Sequence, residues 1–228
     1  MAAAGPFRTP LAIALLWIGA YLLGGIPVGW LMGKAAGVDL REVGTGKIGT
    51  SNLFHTVGLL PAAFVGPLQF GQGFAPVLAA DLMGAPAWVA AGAGLAAVVG
   101  NGWPFYFRYN GGRGVATATG AVALWSLVGL AFVLLLLAVS GIGRRSGLGV
   151  LLSYLGLPLV LFLAHAPTAY AVTGIGVVIC LVLRRFEGYY LTHPELRVSG
   201  DSFVRRLVDD WRPGPEVSSP ASTVDSRE

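Results

Sequence analysis

Long stretches of this chain carry no charged side chain. No Asp, Glu, Lys or Arg occurs in residues 48–80, 114–143 or 146–183. Charged residues make up 11% of the sequence, whereas a soluble domain carries roughly 25% because its surface has to be solvated. A helix that crosses a bilayer needs about 20 largely apolar residues, and each stretch is long enough to supply at least one. The pattern therefore predicts an all-α, polytopic membrane protein.

The apolar segments and the polar residues between them predict an order of spans and loops. Residues 1–199 are interpreted as the transmembrane domain, with polar loops at 33–51 and 100–114. Residues 200–228 are charged and, towards the end, rich in Pro, Ser and Asp, so a disordered cytoplasmic tail is expected there. The expected apolar segments are Pro10–Met32, Leu53–Ala80, Ala87–Val99, Val115–Ile142, Leu148–Leu163 and Thr168–Leu183.

The positions of the basic residues orient this arrangement, because cytoplasmic loops are enriched in Lys and Arg. Both polar loops are basic, whereas the turn 81–86 has no Lys or Arg. The basic pairs at 144–145 and 184–185 face the cytoplasm only if the run 115–142 is split near 125–129. We therefore expect seven membrane helices, two of them short, with the N-terminus outside and the C-terminus inside. Abundant Arg, Ala and Gly suggest a GC-rich bacterial genome. We therefore expect a bacterial plasma membrane, with the active face on the cytoplasmic side where the basic loops lie.

The first polar loop has the composition of a phosphate-binding loop. Its glycines let successive backbone N–H groups point at one anion, while its hydroxyls and Lys47 add donors and charge. Asn52 is expected to cap the following helix, whose N-terminus would favour an anion. A flexible glycine loop that merely connects two spans is the alternative. The candidate residues are Gly44, Thr45, Gly46, Lys47, Gly49, Thr50, Ser51 and Asn52.

The second polar loop offers a similar combination. Its glycines, Gly111, Gly112 and Gly114, allow the backbone to approach a ligand closely. Arg113 provides a planar guanidinium that can bind phosphate through two hydrogen bonds. It directly precedes an apolar helix. The loop is accordingly a second candidate phosphate site.

Other candidates are individually weaker. Arg185 and Glu187 follow the last predicted span, where an Arg pair often serves only as a topology signal. His55 either faces the site or packs structurally between helices. The histidines fit no metal-ligand spacing, so no metal or cofactor is predicted. The positive charge forms no continuous stripe, which argues against nucleic acid as a partner.

At the two loops the chain resembles the bacterial acyl-phosphate:glycerol-3-phosphate acyltransferases, the PlsY family. The family pattern G-S-G-N-x-G-A-T-N is matched by residues 44–52, and G-H-x-x-P followed by G-G-K-G-V-A-T by residues 100–104 and 111–117. Residues 20–24 and 37–41 also resemble the family, and all these segments occur in order. The resemblance implies seven membrane helices with the active-site loops in the cytoplasm.

The resemblance also implies a reaction, namely acyl transfer from acyl phosphate to the 1-hydroxyl of glycerol 3-phosphate, giving lysophosphatidate. It implies a catalytic role for Thr45, which replaces the loop serine, and substrate-phosphate binding by Arg113, which replaces a lysine. Membrane lipid is expected to surround the protein. Several positions change character relative to the family pattern, namely Lys47 for asparagine, His55 for arginine, Asn101 for histidine, Gln69 and Gln72 for Asp and Lys, and Arg184-Arg185-Phe186-Glu187-Gly188 for R-H-R-E-N.

Two alternatives follow from these differences and from the apolar segments. A non-catalytic relative could bind acyl or lipid phosphate and regulate or scaffold lipid synthesis. A small transporter or channel could use the Pro and Gly residues of the second span as a broken helix. The spans, however, carry no charged residue of the kind that ion-coupled transport usually needs.

Overall fold

The computed structural model describes residue 7 and residues 9–44, 46–108, 110–142 and 146–192. All regular structure in these residues is helical, as predicted. A short 3₁₀ turn, Phe105–Phe107, lies in the second loop. The α-helices are α1 Pro10–Gly24, α2 Val28–Ala35, α3 Thr50–Thr56, α4 Leu59–Leu82, α5 Ala87–Gly102, α6 Val115–Trp125, α7 Leu127–Ile142, α8 Ser146–Leu163 and α9 Thr168–Thr192.

The predicted division of the run 115–142 is confirmed. Helix α6 ends at Trp125 and α7 begins at Leu127, with Ser126 in an extended conformation between them. The side chain of Ser126 then accepts a hydrogen bond from the backbone N–H of Gly129 at 3.2 Å. This bond provides a partner for one of the N–H groups that a helix start leaves without one.

The first apolar segment is not one helix, in contrast to the prediction. Helix α1 ends at Gly24 and α2 begins at Val28, after Pro27. Proline lacks the N–H needed to continue the helical hydrogen bonds. The side-chain amide of Gln72 donates to the carbonyl oxygens of Leu23 and Ile26, at 3.0 and 2.9 Å. A residue distant in sequence thus satisfies the carbonyl groups exposed by the break.

Two further boundaries differ from those predicted. The second span is divided at Gly58, which has φ of 126° and separates α3 from α4. Helix α4 then runs without interruption through Pro67 and through 71–73, the Pro and Gly residues that the transporter alternative would use to break the helix. Helix α9 extends beyond Leu183 to Thr192, so Arg184, Arg185 and Glu187 lie on a helix rather than after one.

Apolar side chains cover the outside of the bundle as well as its interior. Large side chains such as Leu59, Leu127 and Phe162 are 70%, 78% and 69% exposed. Soluble monomers rarely expose contiguous apolar patches beyond a few hundred Å². By length and hydropathy, two helical stretches within the described residues could cross a membrane, Pro10–Ala35 and Thr168–Arg185. The exposed apolar surface is consistent with contact to lipid on several helices.

Helices α4 and α6 approach each other through glycines. A Cβ atom at Gly120 would collide with the backbone carbonyl of Phe70, and one at Gly73 with the carbonyl of Thr117. Small residues permit such close backbone approach between helices in membranes. The contact fixes α6, and with it the second polar loop, against α4.

We expect Gly120→Ala to destabilise the protein, because the added methyl group forces α4 and α6 apart. Overpacking of this kind costs about 1–3 kcal/mol. Gly71→Ala is the matched control, since nothing lies within 4 Å of the added Cβ and alanine is the better helix former by roughly 0.5–1 kcal/mol. Thermal unfolding in detergent should show a lower midpoint for Gly120→Ala only. Equal midpoints would contradict the proposed packing constraint.

Candidate active site

One cavity of about 700 Å³ opens between the first polar loop, the second polar loop and the ends of several helices. Its polar end contains Lys47, residues 49–52, Gln69, Arg113 and Arg185. The rest of its wall is mostly apolar and comes from α4, α6, α7, α8 and α9. These lining residues are Gly66, Pro67, Phe70, Gly114, Val115, Ala116, Thr119, Leu134, Leu137, Val150, Leu151, Tyr154, Val178, Leu181 and Val182.

Asn52 organises the first loop. Its side chain is 2% exposed, and its amide nitrogen donates to the carbonyl oxygens of Leu40, Val43 and Lys47 at 3.0–3.1 Å. Buried carbonyl groups need such partners, because leaving one without a hydrogen bond costs about 1–3 kcal/mol. The loop therefore folds around one asparagine side chain.

The expected cap by Asn52 is not observed. Gly49 occupies the N-cap position of α3, and Asn52 lies inside this seven-residue helix. Gly44 sits close to the asparagine, since a Cβ at this position would collide with Asn52 Oδ1, and its φ of 59° favours glycine. The asparagine is thus used to shape the loop instead of the helix start.

Lys47 is the buried cation of the first loop. It is 5% exposed and lines the cavity. Burial, together with the nearby Arg184 and Arg113 guanidinium groups, lowers the pKa of Lys47 to about 7. The Glu187 carboxylate acts in the opposite direction. Near neutral pH this side chain can therefore change its charge.

The hydroxyl side chains of the loop differ in their surroundings. Thr50 donates a 2.7 Å hydrogen bond to Gln69 Oε1 of α4, so the start of α3 is fixed to the cavity wall. Ser51 is exposed at the cavity. Thr45, the predicted catalytic residue, lies outside the described residues.

Arg184 holds the second loop against α9. Its guanidinium is 2% exposed and donates to the carbonyl oxygens of Gly111 and Gly112, at 2.7 and 3.1 Å. Asn101 and Gly102, at the end of α5, accept backbone hydrogen bonds from Gly112 and Gly111. The glycine segment is therefore held from two sides.

Glu187 completes this arrangement rather than facing the cavity. Its carboxylate accepts a 2.7 Å hydrogen bond from Arg184 and bonds of 2.9 and 3.1 Å from the indole N–H of Trp103. The Arg184 guanidinium also lies over the Trp103 ring, 5.5 Å from its centroid. Charge-assisted bonds inside protein are about twice as strong as neutral ones, which makes this cluster a rigid support for Arg113.

A second group of contacts joins the two loops. The Arg41 guanidinium lies over the rings of Trp30 and Phe107, at 5.5 and 5.9 Å from their centroids. It is paired with Asp39, which also contacts Lys34 at 3.0 Å. Hydrogen bonds from Arg41 and Lys34 hold the pKa of Asp39 well below its usual range. The basic residues of both loops thus gather at one end of the bundle.

The structure brings about half of the predicted site residues to the cavity. Those that line it are Lys47, Gly49, Thr50, Ser51, Asn52, Arg113, Gly114 and Arg185. Gly44, Gly46, Asn101, Gly111, Gly112 and Glu187 are not lining residues, and most of these support the loops. His55 is exposed beside Phe54 and does not line the cavity.

Sequence reasoning missed the supporting role of Arg184 and Trp103 and the apolar part of the cavity. Arg184 was interpreted as half of a topology signal. The apolar wall gives no sequence signal, because its residues resemble all other residues of the spans. No group of three or more His, Cys, Asp or Glu that could hold a metal occurs in the part of the chain that the structure describes.

Comparison with known proteins identifies the family. The model of the family "Glycerol-3-phosphate acyltransferase" matches residues 14–189. The chain belongs to this family. The glycerol-3-phosphate acyltransferase of Rubrobacter xylanophilus is 40% identical over 163 residues, which are 71% of this chain and 81% of that protein.

Solved structures of the glycerol-3-phosphate acyltransferase family show the same fold. The crystal structure of PlsY (YgiH), an integral membrane glycerol 3-phosphate acyltransferase, in its glycerol 3-phosphate form has a TM-score of 0.72 and 33% identity, covering 85% of this chain and 98% of that one. The lysophosphatidic acid form has a TM-score of 0.71 and 31% identity, with coverages of 80% and 93%. The chain is accordingly a membrane-embedded enzyme of the acyltransferase class.

We expect Arg184→Lys to loosen the second loop, because an ammonium group cannot reproduce the fork that binds two carbonyl groups. Losing a hydrogen bond to a charged group costs about 1.5–3 kcal/mol, or roughly tenfold or more in the opening equilibrium. Hydrogen exchange at the amides of Gly111 and Gly112 should accelerate by that factor. Leu183→Ala, at a half-exposed neighbouring position, is the control and should leave both amides protected. Unchanged exchange in Arg184→Lys would contradict the clamp.

Proposed function

We propose that this enzyme transfers a fatty acyl group from acyl phosphate to the 1-hydroxyl of glycerol 3-phosphate, giving lysophosphatidate and inorganic phosphate. One observation carries the proposal, namely that a single cavity joins a cationic end to an apolar pocket. Acyl phosphate has the same two parts, an anionic head and a long apolar chain. Membership of the family supports glycerol 3-phosphate as the acceptor.

The cationic end can hold two phosphate groups close together. Lys47, Arg113 and Arg185 approach the cavity from the first loop, the second loop and α9. Two phosphate groups would repel each other unless cations lie between or beside them, so this charge is needed to bind donor and acceptor together. Holding the reactants in one geometry can supply about 7–11 kcal/mol of the barrier reduction.

In the proposed step, the acceptor hydroxyl oxygen attacks the acyl carbonyl carbon. The bond between that carbon and the bridging phosphate oxygen then breaks, and phosphate leaves. The departing phosphate takes the hydroxyl proton, which balances the reaction. The cationic side chains stabilise the charge that develops on the phosphate.

The surroundings of the cavity support transfer of the proton to phosphate. No Asp, Glu or His is among the described residues that line it. Glu187 is engaged by Arg184 and Trp103, and His55 does not line the cavity. By its resemblance to the family serine, we propose that the Thr45 hydroxyl lies near the reacting carbonyl.

The proposed orientation places this cavity at the cytoplasmic side of a bacterial plasma membrane. The basic residues of both loops lie at the end of the bundle where the cavity is, and cytoplasmic loops are enriched in such residues. Seven membrane helices, with the N-terminus outside and the C-terminus inside, fit this orientation. Glycerol 3-phosphate would then reach the site from the cytosol.

Purified protein mixed with palmitoyl phosphate and glycerol 3-phosphate should form lysophosphatidate and phosphate in equal amounts. Arg113→Ala should lower kcat/KM by about 100-fold or more, the usual cost of losing one donor to developing charge. Arg108→Asn is the control, because Arg108 is an exposed cation outside the cavity and asparagine tolerates its left-handed conformation. Absence of turnover in the unaltered protein, or full activity in Arg113→Ala, would reject the proposal.

The apolar part of the cavity should set the length of the acyl chain. Leu151→Trp adds bulk to the cavity wall, so we expect the activity maximum to move to shorter acyl phosphates. Leu152→Trp adds the same bulk at a position that is 50% exposed and does not line the cavity, so its preference should not change. Competition assays with acyl phosphates of different lengths measure the effect. An unchanged chain-length preference in Leu151→Trp would show that the acyl chain does not bind beside Leu151.

A further inference from the structure

Lys47 differs from the other cations of the cavity in its environment. It is 95% buried, since 5% of its surface remains exposed. Within the described residues, its ammonium group makes no hydrogen bond or ion pair. Burying an unpaired charge is costly. Binding of an anionic ligand, or loss of the proton, would therefore stabilise this side chain in the cavity.

The groups around Lys47 make the positive form more costly still. Arg184 on α9 and Arg113 in the segment before α6 both disfavour the charged amine. Glu187 on α9 is the carboxylate that opposes them, and it is already bound by Arg184. From α4 and α8 the cavity receives the neutral side chains Gln69 and Tyr154.

The expected consequence in the empty cavity is a largely neutral amine. With the pKa of Lys47 at about 7, this amine is neutral in about three quarters of the molecules at pH 7.5. A phosphate monoester has a second pKa of about 6 and is therefore mostly a dianion at this pH. Its two negative charges favour an ammonium group beside it and so oppose the effects of burial and of the neighbouring cations.

We propose that Lys47 is a proton-coupled phosphate ligand, whose amine takes up a proton from solvent when a phosphorylated substrate binds and releases it when phosphate leaves. This inference rests on the proposed function of the cavity. It assigns to Lys47 a role that the asparagine of the family pattern cannot have, because an amide does not titrate. Lys47 thus adds its full positive charge to that of the arginines only while the phosphate site is occupied.

Calorimetry of glycerol 3-phosphate binding at pH 7.5, in two buffers that differ in ionisation enthalpy, counts the protons taken up. The full chain is compared with Lys47→Arg, which keeps a permanent charge, and with Lys47→Asn, which has none. Any protonation of the phosphate itself is shared by all three proteins. We expect the unaltered chain to take up about 0.5–0.8 proton more than either variant. Equal uptake in all three would overturn the proposal.

The pH dependence of binding is the second readout, and a merely structural role of Lys47 would not change it. If only the protonated amine binds phosphate, affinity should fall roughly 20-fold between pH 7.5 and 9, as the amine loses its proton. Both variants should show nearly constant affinity over this range. A constant affinity in the unaltered chain would also overturn the proposal.

These results separate the inference from the function on which it rests. Acyl transfer and glycerol 3-phosphate binding without extra proton uptake would reject the role of Lys47 alone. No transfer and no binding of glycerol 3-phosphate or inorganic phosphate would reject both. Size-exclusion profiles establish that each variant is folded. If one variant misfolds, the unaltered chain is compared with the other variant.

Discussion

The buried guanidinium of Arg184 is the contact on which the rest of the site depends. It binds the carbonyl oxygens of Gly111 and Gly112 and the carboxylate of Glu187, and so joins α9 to the loop before α6. The backbone groups of a glycine loop need partners where water is excluded. A guanidinium offers donors in a fixed plane, which lets one side chain serve two carbonyl groups and a carboxylate. Arg113, at the cavity, is positioned by this arrangement.

In the first loop, a neutral side chain provides the hydrogen bonds that the buried carbonyl groups need. The Asn52 amide binds three loop carbonyl groups, and the resulting turn directs Lys47 inwards. Because the loop is closed by an amide and not by a carboxylate, no fixed negative charge competes with an anion for Lys47. The two loops together therefore produce a cavity whose fixed surroundings are positive and whose remaining wall is apolar. Phosphorylated lipid precursors combine these same two properties.

The enzyme class followed from the sequence because the loops are contiguous segments. Residues 44–52 and 111–117 keep their order and glycine spacing, and the family match confirms the resemblance on which the acyltransferase prediction was based. The roles of individual residues were harder to predict. His55 looked like a candidate by its type and position but does not line the cavity, whereas Arg184 looked like a topology signal and is buried in the support of the site.

The sequence by itself determined the helical architecture, since uncharged stretches of about 20 residues or more satisfy their backbone groups in an apolar surrounding by forming helices. It also predicted the break near Ser126, because two basic segments expected on the same side of a membrane imply an even number of crossings between them. Only the tertiary structure decided where α1 ends and which residues share the cavity. The carbonyl groups exposed by the break at Pro27 are bound by Gln72 of α4, and the apolar cavity wall comes from five helices. Contacts between segments so distant in the chain leave no local pattern that a sequence could reveal.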